Sequence, residues 1–152
     1  MWAPSVGMNL STKHKVNLHV EYEHQWIHHP LHLTFMVNDR IINLDISGQK
    51  YVTIDKSISL DAGAHRFLLC CENKTDDHTI IDVNEKIVQD SFAIFKKFYI
   101  EDINLMQYIA THAYFEGADG NRSTPSTGIW SNGSWCLDFK VPVYDWILEV
   151  LF

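Results

Sequence analysis

Basic residues are scarce in this chain: 12 lysines and arginines stand against 19 aspartates and glutamates, a formal net charge of −7 over 152 residues. An acidic surface repels a phosphate backbone, so no nucleic acid is expected as a direct partner. Cysteine is sparser still. Cys70, Cys71 and Cys136 are three in number, and an odd count cannot close a disulfide framework. Cys70 and Cys71 are adjacent, so on a strand they point to opposite faces and a bridge between them would be strained. Reduced thiols are expected, as in a protein assembled in a reducing cytoplasm. The spacing of a structural zinc site is absent.

Long apolar runs are also lacking. None approaches the ~20 residues that cross a bilayer, so no membrane is expected as a partner. The opening MWAPSVGMNLSTKHK has no basic start followed by an apolar stretch, and no export signal is read there. A catalytic constellation is missing as well. Acidic pairs abound without an acid–base arrangement, and the paired cysteines lie mid-strand in apolar surroundings that raise a thiol pKa. The chain is therefore read as no enzyme, with no cofactor, no catalytic residue and no metal.

What is present is alternation. Over residues 16–23, Val16, Leu18, Val20 and Tyr22 share one face, opposed by Asn17, His19, Glu21 and Glu23. Leu31, Leu33, Phe35 and Val37 repeat the pattern. Asn38-Asp39-Arg40 is a turn, after which Ile42, Leu44 and Ile46 continue in the next strand. Residues 51–58 alternate again, and Asp61-Ala62-Gly63 is a tight connection in which Gly63 is free to take a positive φ. Residues 64–72 are apolar on both faces, which predicts a central strand covered on both sides. Residues 92–100 are similar except for Lys96 and Lys97. Between them, residues 78–83 and 87–90 pair around Asn84-Glu85. A final strand over 135–141 sends Leu137, Phe139 and Val141 inward.

Only one segment invites a helix: Leu105, Ile109 and Ala113 recur at fourfold spacing after Asp102. Many short strands separated by Gly, Asn and Asp turns predict an all-β fold, a single β-sandwich or jelly roll with at most one short helix. Residues 1–10 form an N-terminal arm and 11–152 the sandwich. The histidines number nine, and five lie between His19 and His32. No ligand spacing with a supporting carboxylate stands out among them, so they are read as solvated or interfacial.

The Gly63-Ala64-His65 turn, Asn73-Lys74-Thr75, Asp90 and the apolar run 92–103 resemble calcium-dependent carbohydrate-binding modules. The same cadence, with Trp130-Ser131-Asn132-Gly133-Ser134-Trp135 and Pro142-Val143-Tyr144-Asp145-Trp146, resembles small β-sandwich virion proteins of tailed bacteriophages, including phages of marine cyanobacteria. The second resemblance implies a structural component of the phage particle, in tail, neck or capsid surface. It would be made in the host cytoplasm and partnered by other virion subunits and copies of itself. Trp2, Met8, Trp146 and Phe152 are its interface candidates. The first implies a host-surface glycan as the alternative partner, with Tyr114, Phe115 and Trp130 flanking the polar loop 117–128 as a binding platform. Lys74 departs from that pattern, since it stands where a calcium ligand would serve. Asn73, Asp76, Asp77, Asp82 and Asp90 are read as turn residues rather than ligands.

Overall fold

The computed structural model describes residues 13–123 and 126–151. In chain order the strands are β1 (Lys13–Gln25), β2 (Leu33–Val37), β3 (Arg40–Asp45), β4 (Tyr51–Asp61), β5 (Gly63–Cys71), β6 (Thr79–Ile81), β7 (Ile87–Asp90), β8 (Phe92–Ile100) and β9 (Ile103–Asn104). Helix α1 (Met106–His112) precedes β10 (Tyr114–Gly117), β11 (Arg122–Ser123), β12 (Gly128–Ile129) and β13 (Gly133–Val141), and α2 (Val143–Leu151) follows. A 3-10 turn, Asp76–His78, leads into β6. Among the described residues strand makes up 58% and helix 14%, which places the chain among all-β sandwich domains.

The first sheet runs β12-β8-β1-β4, with β9 also on β8, and the second runs β11-β10-β13-β5-β2-β3. Strands β6 and β7 form a separate two-stranded hairpin. All pairings between them are antiparallel, and β1 follows β4 in unbroken register from Lys13–Asp61 to Glu23–Tyr51. Their alternation puts Val16, Leu18, Val20 and Tyr22 of one sheet against Phe35, Phe67, Leu69, Leu137 and Phe139 of the other. Phe98 bridges the layers, 5.3 Å from Phe67 and 6.2 Å from Phe35 in edge and tilted contacts. Trp135 joins it, 4.3 Å from Phe95.

The lysine pair that interrupts β8 has a geometric cause. Glu21 pairs with Lys97 but Tyr22 pairs with Phe95, so Lys96 is an extra residue in the strand. This bulge turns both lysines to solvent, toward Glu23 and Glu21, and leaves Phe95 and Phe98 both inward. A second bulge lies in β3, where Phe35 pairs with Asn43 and Met36 with Ile41, leaving Ile42 extra. Ile42 packs against the core while Ile41 and Leu44 face out. The simple alternation of Ile42, Leu44 and Ile46 therefore breaks within the strand.

Two further expectations are corrected. Strand β5 buries only Phe67, Leu69 and Cys71; its other face, with Leu68 and Cys70, is half-buried, because among the described residues no strand or helix layer lies over it. The apolar C-terminal segment is a second helix. Val143, Trp146 and Ile147 of α2 face the sandwich, where Trp146 meets Phe139 and, edge-on, Tyr108 of α1. The connection at Gly63 does take a positive φ, +123°.

Phe67→Ala is expected to cost about 3–5 kcal/mol, because its ring has close neighbours in both sheets. A fall in the urea midpoint at constant m-value checks it. Native-state alkylation should reach Cys70 first and leave Cys71 and Cys136 protected, since both are buried.

Candidate functional site

One end of the sandwich is closed by polar contacts. The chain leaving β5 turns back across the mouth between the sheets and is pinned there by Lys74, whose side chain is 11% exposed. Its ammonium donates to Asp90 Oδ1 at 2.6 Å, to the Ser91 carbonyl at 2.9 Å and to the Trp130 carbonyl. Asp90 also accepts from Thr79 Oγ1 at 2.8 Å and from the Ser91 N–H. Burial alone would raise the Asp90 carboxyl, but these donors hold it below its usual value. Asn132 brackets the Lys74 backbone, accepting its N–H at 2.7 Å and donating to its carbonyl at 2.8 Å. Asn73 ties the preceding loop through the His32 N–H and the Pro30 carbonyl.

This arrangement bears on calcium. The ammonium stands among a carboxylate and two carbonyls, the oxygen set a hard cation would take. Asp82 is used by the hairpin turn, accepting from the Asn84 and Lys86 N–H groups. Among the described residues, no three His, Cys, Asp or Glu side chains converge on a metal position.

The aromatic platform is not assembled. Tyr114, only 5% exposed, lies on the outer face of the second sheet with the Arg122 guanidinium 4.1 Å from its ring. Burial first, and Asp138 next, push its hydroxyl up to about 12. Phe115 faces the other way and packs on the core. Trp130 is 43% exposed and stacks on Phe92 at 5.9 Å, beside the Lys74–Asp90 pair. Phe115 opens instead onto a cleft with Asn121, Arg122 and Ser131. Trp146, expected at an interface, is buried in this chain's own core. Trp2, Met8 and Phe152 lie outside the described residues, as does the arm 1–10.

The same end holds a group that the sequence reading missed. His24 continues the inward face of Val16, Leu18, Val20 and Tyr22, and it is buried with Asp45 and His78. Tyr22 Oη, His24 Nδ1, Asp45 Oδ2 and His78 Nε2 have no hydrogen-bond partner among the described residues. His24 Nδ1 and Asp45 Oδ2 are 3.6 Å apart, beyond hydrogen-bond length. The remaining ring nitrogens are engaged: Leu31 N–H donates to His24 Nε2 at 3.3 Å, and Thr75 N–H to His78 Nδ1 at 3.0 Å. Lone pairs turned to backbone donors are not offered to a metal. The expectation of solvated histidines fails for these two. The strand period, extended by one more step past Tyr22, was the signal that would have found His24.

The surface is uneven at its edges. Among the described residues, β4 ends the first sheet and exposes Tyr51, Thr53, Asp55, Lys56, Ser57 and Ser59. Among the described residues, β3 ends the second and exposes Ile41 at 59% and Leu44 at 56%, with Ile46 just beyond. The β6–β7 hairpin exposes Ile81, Ile87, Val88 and, at 97%, Val83. As for the thiols, burial raises Cys70 and Cys71 and lifts Cys136 to about 11, so all three are protonated at neutral pH.

Lys74→Met is expected to cost about 2–3 kcal/mol, because the Asp90 carboxylate keeps its enclosure and loses its cation. Calcium or EDTA should leave the melting temperature of the unaltered chain unchanged; a calcium-dependent rise would contradict the ammonium-filled site. No protein-family model, curated protein or solved structure matches this chain.

Proposed function

We propose that this chain is a structural component of a bacteriophage particle and acts through protein–protein assembly, with copies of itself or neighbouring subunits. The observation that carries the assembly reading is the contrast between the two long sheet edges. A free edge presents unpaired backbone N–H and C=O groups, and isolated proteins guard such edges with charge, as β4 does with Asp55 and Lys56. Strand β3 carries Ile41 and Leu44 outward, and its charged ends are Arg40 and the buried Asp45. Between those ends only the bulge at Ile42 interrupts an apolar edge, and an apolar edge is what strand addition uses: backbone bonds supply the pairing and alternate side chains the selectivity. The protruding β6–β7 hairpin extends the apolar surface at one end. Placement in a phage particle rests on the sequence resemblance alone.

Glycan recognition has less support, since Tyr114 is buried, Phe115 faces the core and Lys74 takes the cation position.

Sedimentation velocity over a concentration series tests the edge. The unaltered chain should self-associate or bind a co-purifying virion subunit. Ile41→Lys and Leu44→Lys should abolish this while shifting the melting temperature little, because both side chains are already exposed. A chain that assembles equally well with either substitution would remove β3 from the interface. Peptides of this chain in purified particles would place it in the virion, and their absence would remove it.

A further inference from the structure

Tyr22, His24, Asp45 and His78 play no part in the apolar edge, but they are buried where three segments meet. Asp45 is the last residue of β3, Leu31 stands two residues before β2, and Thr75–His78 is the root of the β6–β7 hairpin. The two imidazoles bond to the second and third of these segments through Leu31 N–H and Thr75 N–H, and His24 faces the carboxylate of the first. A neutral imidazole has one lone pair. With His24 Nε2 and His78 Nδ1 accepting backbone hydrogens, His24 Nδ1 and His78 Nε2 carry the ring hydrogens. An added proton can go only to the nitrogen that faces a backbone N–H. There it sets donor against donor and ends the bond to the backbone; beside His78 Nδ1 the Thr75 hydroxyl, 3.3 Å away, is left as the acceptor.

We propose that His24 and His78 form an acid-released latch, in which protonation of the rings breaks their bonds to Leu31 and Thr75 and loosens the approach to β2 and the root of the β6–β7 hairpin. The assembly reading enters only in what the loosened segments serve. The groups facing the latch are Tyr22 from β1, Asp45 from β3, and His29, whose ring is 6.0 Å from that of His78. Asp45 opposes release, because a carboxylate attracts an imidazolium. Burial outweighs it, and with His78 nearby it holds His24 below its ordinary value of 6.5. A depressed histidine pKa gives stability that is complete above the ordinary value and is lost as pH falls through the folded one.

Hydrogen exchange of the full chain at pH 7.5 and 5.0, corrected for intrinsic rates, reads the latch. It is run on both the unaltered chain and Ile41→Lys, so that association through β3 cannot mask it. Residues 26–32 and 75–90 should exchange about tenfold faster at pH 5.0, the scale of one linked proton over one pH unit, while β5 and β13 hold. A His24→Gln/His78→Asn double variant, whose amide oxygens replace the two lone pairs without titrating, should lose the difference. Imidazole nitrogen shifts at pH 8 should place the lone pairs at His24 Nε2 and His78 Nδ1 in the unaltered chain. The opposite tautomers, a uniform acceleration across the core, or a pH response retained by the double variant would each overturn the latch. A chain that never associates but shows the local response sinks the assembly reading and leaves the latch standing.

Discussion

One ammonium group holds the open end of this sandwich together. Two stacked sheets leave their ends unsealed, and the backbone that crosses such an end must find partners for its own polar groups. Lys74 meets that demand with a single charge, joining the loop that follows β5 to the root of β8 and to the approach to β13. Its neighbours Asn73 and Asn132 satisfy the surrounding peptide groups. With the crossing chain fixed, the hairpin has a rigid base, Trp130 has a place against Phe92, and His78 is carried inward. A metal ion would perform the same bridging, but its hold would depend on supply from solution; a lysine brings its charge with the fold.

Much of the architecture was legible because antiparallel sheets with one solvated face write their burial as alternation. Val16 to Tyr22 and Leu137 to Val141 are such cases, and Leu105, Ile109 and Ala113 showed the first helix by their spacing. The failures share a cause. The bulges at Lys96 and Ile42 change the phase of a strand without changing its composition, so a period of two read straight through them is wrong on one side. The second helix was legible but not read: Val143, Trp146, Ile147 and Val150 recur at i, i+3, i+4 and i+7, with Asp145 and Glu149 on the exposed side. The apolar Tyr144, Leu148 and Leu151 on that exposed side obscured the period.

The site was less legible than the fold. Tyr114 and Phe115 are neighbours in sequence, and for that reason a strand sends them to opposite faces. Their distance from Trp130 depends on sheet order, which no local pattern carries. His24 was hidden in another way: its type suggested solvent while its position required the core. Asp45 and His78 reach the same place from β3 and from the 3-10 turn, and only the tertiary structure unites them.

The order of strands in the second sheet sets a schedule for its formation. Strand β13 lies between β5 and β10, so it is central in space although it is the last of these strands in the chain. During synthesis β5 emerges with β2 as its only neighbour in that sheet, and its other edge waits for more than sixty further residues, from Cys71 to Gly133. The first sheet has no such delay, since β1, β4 and β8 can pair once residue 100 is out. The nascent domain therefore passes through a stage with one layer closed and the other still open along an apolar strand, where a premature neighbour on the same polysome could pair with it.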